Sequence, residues 1–494
     1  GDRTVAIGYG ALAAQNNGTS TFDSNNVAVG YHACVGLTTG TRNVAVGADA
    51  LAGADDDGRN IAIGYAALNV MNTGSSTPYN VAIGYNAGAS VTTGVNNTIL
   101  GGLAGDALTA SSRNTAIGYN ALTADTLGAR NTAVGFGSFA TQNFTSATDS
   151  YNTGLGYQAG MLVTTGVENT LIGGLAGDAL TDADYNIAIG AQALTTDQIG
   201  SKSIAIGRQA LNDQAFTSTA TDTHNIAMGY QSQKSGTTAI NNISIGSTSL
   251  FTNTTGRKNI AIGKGSLQNF NVTDSSDTHN VAVGFEAGND ITTGVKNTLT
   301  GSLAGDNITT GSKNTFYGYD INASAVDVSN EIFIGHSGTG GGANTVKIGT
   351  DGGVAILNLD GSDTSWAASS DERLKTEITD STAGLSFIKD LRPVTFKWNS
   401  KDAIDSNLPQ YDADSSDPVY GTGKTNHGFI AQEVKSAIDN HSEIKNGNNI
   451  WSQDPDGTQQ LAPSALVPML VKAIQEQQAL IESLTTRITA LEGE

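Results

Sequence analysis

Asn60-Ile-Ala-Ile-Gly64 is the stretch that decides the fold. A strand has a period of two, so Ile61 and Ile63 share one face and Ala62 points to the other. The unit returns as Asn43-Val-Ala-Val-Gly47, Asn114-Thr-Ala-Ile-Gly118, Asn186-Ile-Ala-Ile-Gly190 and Asn259-Ile-Ala-Ile-Gly263. Aligned on its last glycine, it closes at 8, 30, 47, 64, 84, 101, 118, 135, 156, 173, 190, 207, 229, 246, 263, 284, 301, 318, 335 and 349. Most steps are 17 residues, five are 20 to 22, and the last is 14. A fixed period this short predicts one solenoid turn per repeat. One coil cannot bury the Ile61/Ile63 face alone, so stacking is expected to bury it continuously. Gly64 ends the strand where positive φ or close backbone approach is needed. Asn60 suits the corner before it, its amide bonding local backbone or stacking as a ladder. Ala66-Ala67-Leu68 supplies a second inward segment.

Composition agrees with this reading. Of 494 residues, 61 are Gly, 38% are hydrophobic, 14% charged and 6% aromatic. Regular Val/Ile placement separates a repetitive fold from a disordered chain of similar glycine content. The formal net charge of −21 repels phosphate backbones and anionic lipid, so neither nucleic acid nor membrane insertion is expected. Cys34 stands alone and forms no intrachain disulfide. No run of 18 apolar residues is present, and Gly1 opens without the basic and apolar stretches of a signal peptide.

Asn-x-Ala-Ile-Gly followed by x-x-Ala-Leu resembles the head repeats of YadA-type trimeric adhesins, over roughly residues 4–349. The resemblance implies a left-handed parallel β-roll with three chains side by side. The spacing here is longer than that family's, so the loops are longer. Those adhesins also end in a membrane-anchoring barrel; this chain closes on Leu491-Glu-Gly-Glu494, and the expectation is a fibre without that anchor.

The longer steps carry inserts containing Phe22, Phe144, Phe216 and Phe270. Inserts on a solenoid emerge on one face, which makes these rings candidate receptor contacts. The alternative is that each ring covers a gap in its own coil. Asp55-Asp56-Asp57 lacks the spaced ligands of a calcium loop and reads as a solvated corner. No metal or cofactor site is expected.

The texture changes after the repeats. All three tryptophans, and six of seven prolines, lie at or after Trp366. The division expected is a β-solenoid shaft over 1–349, a neck over 350–369 and a small α+β domain over 370–494. In the last, Thr382–Leu391 reads as a helix with Leu385, Ile388 and Leu391 apolar. Val394–Trp398 reads as a strand, and Gly428–Ile438 as a strand entering a helix. Leu470, Ile474, Ile481, Leu484, Ile488 and Leu491 recur at steps of three and four, with Gln477 as a polar interruption. This is a coiled-coil seam over about residues 463–492, and a trimer is permitted. An amphipathic helix docked on its own domain is the alternative.

Ser370-Asp-Glu-Arg-Leu-Lys375, Leu391-Arg-Pro393 with Phe396-Lys-Trp398, Gly428-Phe-Ile-Ala-Gln-Glu-Val434 and the terminal seam together resemble the endosialidase-type intramolecular chaperone auto-peptidases. That resemblance implies a C-terminal domain that trimerises and folds a phage tail fibre or tailspike, then releases itself with a Ser/Lys dyad. The matching residues are Ser370 as nucleophile and Lys375 as general base, cutting the Ser369–Ser370 bond. A serine hydroxyl needs a base, and a lysine serves if burial lowers its pKa. Ser369-Ser-Asp-Glu372 also fits a helix capping box. His427, just before the Gly428 motif, is either a residue that orients a group near the dyad or a surface histidine.

The function expected is a trimeric tail fibre that binds a host-surface receptor, a glycan or an outer-membrane component. It would be folded in the host cytoplasm, carried on the virion beside other tail proteins, and active only once, on itself. A bacterial surface adhesin and a polysaccharide-degrading tailspike are the alternatives. The tailspike would place paired carboxylates on the solenoid, and none stands out. A surface-binding solenoid would need a flat rank of outward threonines, whereas the Thr positions here drift between coils.

Overall fold

Each five-residue unit forms a three-residue strand or the start of a longer one, from Val5–Ile7 to Thr345–Thr350. A computed structural model describes residues 3–16, 23–74, 77–350, 353–359, 367–368, 372, 375–406, 408, 410–420, 423–445, 449–454 and 457–493. Its contacts divide the chain into two compact units, Gly1–Ser369 and Ser370–Glu494.

The first unit is a β-solenoid. Its strands pair in parallel, each with the coil before and after, and always position for position: Val44 with Ile61, Ile61 with Val81, Ile187 with Ile204. Coils of 17 and of 20 to 22 residues keep the same register because the extra residues leave the ladder after the strand. Gly353–Asn358, inside the expected neck, instead adds an antiparallel strand on Thr345–Thr350.

The Ile61/Ile63 expectation is corrected in one respect. Ala62 is fully buried, whereas Ile61 is 36% exposed and Ile63 half-buried. The same pattern holds at Val44-Ala45-Val46 and Ile187-Ala188-Ile189. The coil is too narrow for two β-branched ranks, so alanine goes inside and the Val/Ile ranks lie outside. Opposite the strand, Ala67 and Leu68 are fully buried, as expected, with Met71 beside them.

Size is compensated between coils. Ile99 replaces the central alanine where the opposite position is Gly105 instead of leucine. Phe139 takes the leucine position where the next strand centre is Gly154. A close-packed interior allows such exchanges only in pairs.

The buried asparagines carry the corners. Asn60 N–H donates to Asn43 Oδ1 at 2.9 Å, and Asn80 N–H to Asn60 Oδ1 at 3.0 Å. Asn43 Nδ2 donates to the Asp57 carbonyl at 2.8 Å, and Asn80 Nδ2 to that of Gly94 at 2.8 Å, closing each coil 14 residues on. At Gly64 the backbone has φ +135°, and a Cβ would overlap the Gly84 carbonyl oxygen. Both reasons for glycine therefore apply there.

One layer departs from this pattern. Gln233 occupies the position of Leu68, Leu211 and Leu250, and it is fully buried with neither amide atom hydrogen-bonded. Ser232, Ser244 and Ser249 beside it bond one another at 2.7 to 3.2 Å. The apolar core stops at Ala227 and resumes at Leu250.

Among the described residues the second unit has three α-helices, α1 (Leu385–Asp390), α2 (Ala431–Asn440) and α3 (Val467–Glu492). Val394–Phe396 pairs antiparallel with Asn426–Gly428, and Trp451–Gln453 with Gln459–Leu461. Phe387, Val434, Ile438, Ile444, Ile450 and Leu466 form its core. Among the described residues, no helix is long and apolar enough to cross a membrane.

Candidate functional site

Ser369 and Ser370 lie outside the described residues, as does most of the alternative capping box. Lys375 is described and exposed, and its backbone N–H donates to the Glu372 carbonyl at 3.0 Å. Glu372 is exposed too, and among the described residues the first α-helix of the unit begins at Leu385.

The structure does bring other quoted motifs together. Arg392 of Leu391-Arg-Pro393 grips Glu433 of the Gly428–Val434 stretch with two hydrogen bonds, Nε to Oε2 at 2.9 Å and Nη2 to Oε1. The guanidinium holds the Glu433 carboxyl below its usual range. Val394 pairs with Gly428 and Thr395 with His427 in the small sheet. His427 itself is exposed. Phe396 meets Trp398 edge-on at 5.2 Å, and Trp398 meets Tyr420 at 4.9 Å.

His441 carried no signal in the sequence because one of its two partners, Asp390, lies 51 residues away. Its Nε2 is 2.9 Å from Asp390 Oδ2 and its Nδ1 2.9 Å from Glu443 Oε1. Its ring stands edge-on to the buried Phe387. Both nitrogens face carboxylates, so the doubly protonated ring satisfies the geometry. Asp390 first, then Glu443, raises the pKa above the ordinary 6.5.

The seam of α3 is largely bare. Leu466 and Ala473 are buried and Met469 partly so, tying the start of the helix to its own unit. Glu476 Oε2 accepts from the Leu385 N–H at 2.8 Å. Beyond that, Leu470, Ile474, Ile481, Leu484, Ile488 and Leu491 are all exposed, Ile474 by 64% and Leu491 by 74%. Docking on its own unit thus accounts for the base of the helix and leaves the predicted seam uncovered. Beside Leu470, an apolar groove of about 220 Å³ runs past Ile388, Leu391, Phe429 and Pro463.

On the solenoid, Phe22 lies outside the described residues. Phe144 and Phe270 are buried in their own coils and Phe216 is half-buried. The rings of Phe144 and Phe270 as receptor contacts are therefore corrected: they pack the base of each insert. Asp125 Oδ1 accepts from the N–H of Gly128 at 3.0 Å and of Phe144 at 3.2 Å, and Oδ2 from Gln142 Nε2 at 2.7 Å. Asp197 repeats this with Gly200, Phe216 and Gln214. Burial pushes both carboxyls up, and these donors oppose it. Asp57 is likewise buried rather than solvated, accepting from the Thr73 N–H at 3.0 Å. No cluster of three metal-ligating side chains occurs among the described residues.

Residues 370–443 match the family described as chaperone of endosialidase. No curated protein and no solved structure matches the chain. A chaperone-of-endosialidase domain thus follows a β-solenoid, the combination expected of a tail-fibre-like or tailspike-like protein.

Proposed function

We propose that this chain is the shaft of a homotrimeric phage tail fibre whose C-terminal domain assembles it and then cuts the Ser369–Ser370 bond. One observation carries the reading. The family match and the second compact unit both begin at Ser370, and Lys375 follows five residues later. Ser370 Oγ attacks the Ser369 carbonyl while Lys375 takes the hydroxyl proton; the Ser369–Ser370 C–N bond breaks as the Ser370 amine leaves with that proton, and water then hydrolyses the resulting ester to free the Ser369 carboxylate, so the reaction turns over once.

Further copies of the chain are the occupant that both bare apolar faces share. Half-exposed Val/Ile ranks flank the ladder, the first of them giving way to Thr98, Thr115, Thr132, Thr153 and Thr170 in mid-shaft and to Thr298 and Thr315 further on. An aromatic rank one residue past the closing glycines lies beside them, with Tyr65 and Tyr85 stacked at 5.5 Å and Phe136 and Tyr157 at 5.5 Å. The α3 seam needs the same partners, because an isolated amphipathic helix is marginal in water. A trimeric nucleus also fixes register among coils that are nearly alike. The mature fibre then sits on the virion with other tail proteins and contacts a host-surface receptor.

Intact mass of the purified wild type beside Ser370→Ala tests the cleavage. The expected result is a break after Ser369 in the wild type alone. An uncut wild type, or a cut mutant, ends the auto-peptidase reading.

A further inference from the structure

One corner of the solenoid is cationic although the unit is acidic. Residues 1–369 hold 14 Lys and Arg against 27 Asp and Glu. Nine of those 14 stand at a single position, immediately before the ladder asparagine or its replacement, as Arg42, Arg59, Arg113, Arg130, Lys296 and Lys313 do. Two histidines share the rank, and its one acid is Glu168.

Three observations make this rank more than a solvated edge. Its backbone is left-handed at all six cations named, with φ between 60° and 63°, a conformation that favours Gly or Asn. Long cations are held there against that preference, while Asn25, Asn96 and Asn241 show that the better-suited residue is also used. The rank is also pre-set in space: Arg59 N–H donates to the Thr41 carbonyl at 2.9 Å, and Lys313 N–H to that of Val295 at 2.9 Å. Successive members of the rank therefore advance by one coil, about 4.8 Å, with cations on adjacent coils at Arg42 and Arg59, Arg113 and Arg130, and Lys296 and Lys313. Finally, Arg3, Arg130, Lys202 and Lys258 pair with Asp23, Asp149, Asp222 and Asp277, whereas Arg42, Arg113, Lys296 and Lys313 form no ion pair among the described residues.

We infer that this corner is a docking rank for a linear acidic polysaccharide, an extension that rests on the receptor-binding reading above. A single file of charges with tyrosines between them suits a sugar chain bearing one carboxylate per residue or two. Tyr79, Tyr151 and Tyr185 occupy the same rank, with Arg59 lying 5.6 Å from the Tyr79 ring centre and Arg130 5.3 Å from that of Tyr151. Aromatic faces stack on sugar rings, and asparagine amides bond hydroxyls. A nucleic acid carries far denser charge, about one per 1.7 Å of duplex, which the surrounding acids repel.

The test uses the full chain over immobilised polygalacturonate, with neutral dextran as control. Wild type should bind the uronate polymer, not dextran, and release it in high salt. Replacing Arg42, Arg113, Lys296 and Lys313 together by Gln should weaken binding at least about tenfold with unchanged circular dichroism and native mass. Equal binding to dextran, or a quadruple variant that binds like the wild type, overturns the inference. A change in native mass overturns it too, because the rank would then be an interchain contact. Adsorption of labelled protein to host cells separates the two readings. Adsorption that survives the four substitutions removes the acidic-glycan rank and keeps the fibre; no adsorption by the wild type removes both.

Discussion

In the solenoid, one fully buried side chain is that of Asn97, bonded to the coil below through Asn80 and to the coil above through Asn114. In the C-terminal unit it is Phe387, set among Val434, Ile438 and Leu466. The first arrangement is made of nearest neighbours, so its energy accumulates coil by coil. Every partner lies about one coil away, and one coil looks much like the next. The second arrangement joins distant residues, such as Leu385 with Glu476, 91 positions apart, and each contact is unique. A repetitive ladder supplies stability without a landmark, and a unique fold supplies the landmark. A protein made of many like coils therefore gains from a dissimilar unit that defines where pairing between chains begins.

The sharpest way to break that comparison is to disable the landmark alone. If the chain assembles as the trimer proposed above, Ile474→Asp with Ile481→Asp puts charges in the bare α3 seam and assembly should be lost entirely, read as a fall from trimer to monomer mass in light scattering. A variant that stays trimeric would show that the solenoid finds its own register.

Next in size is damage to the ladder. Asn97→Ala removes the acceptor for the Asn114 N–H and the donor to the Ser111 carbonyl, leaving buried groups unpaired. It should lower shaft stability by about 2 kcal/mol per chain in denaturant titration. No change would mean that the asparagines are not what holds the corners.

A smaller effect of opposite sign is expected at the polar layer. Gln233→Leu restores the residue found at Leu211 and Leu250 and removes two unpartnered buried atoms. Stability should rise by about 1 kcal/mol. A fall would show that the layer holds a partner, such as a bound water, that the leucine displaces.

The smallest effect belongs to His441. Its pKa is raised in the fold, so its stabilisation is complete below about pH 6.5 and is lost as pH rises through the raised value. The unfolding midpoint of the C-terminal unit should therefore decline over that window, and His441→Gln should flatten the decline. An equal slope in both proteins would assign the dependence elsewhere.

The corner residues Asn60 and Gly64 were legible because their roles are local: an amide at a bend, and a backbone contact without room for a Cβ. The inside of the coil was not. Period two says which side chains share a face and leaves open which face is enclosed; the width of the coil chose Ala62 over Ile61 and Ile63. Phe144 and Phe270 were ambiguous for the same reason, since a ring in an insert can turn outward or fill the base. Phe387, one residue before Ile388 in a helical pattern, became the core residue only because α2 and Leu466 converge on it. At the candidate peptidase, motif order led to Ser370 and Lys375, and the Arg392–Glu433 clamp shows two of those motifs meeting.

By itself, the sequence determined the solenoid, its coil boundaries, the change of character near residue 370 and the long helix α3. Each is written in spacing, and spacing translates directly into backbone periodicity. Only the tertiary structure decided which rank faces inward, that Asp57, Asp125 and Asp197 are buried acceptors, and that His441 sits between two carboxylates. Those facts depend on how much room neighbouring coils and helices leave, and on groups brought together from far along the chain.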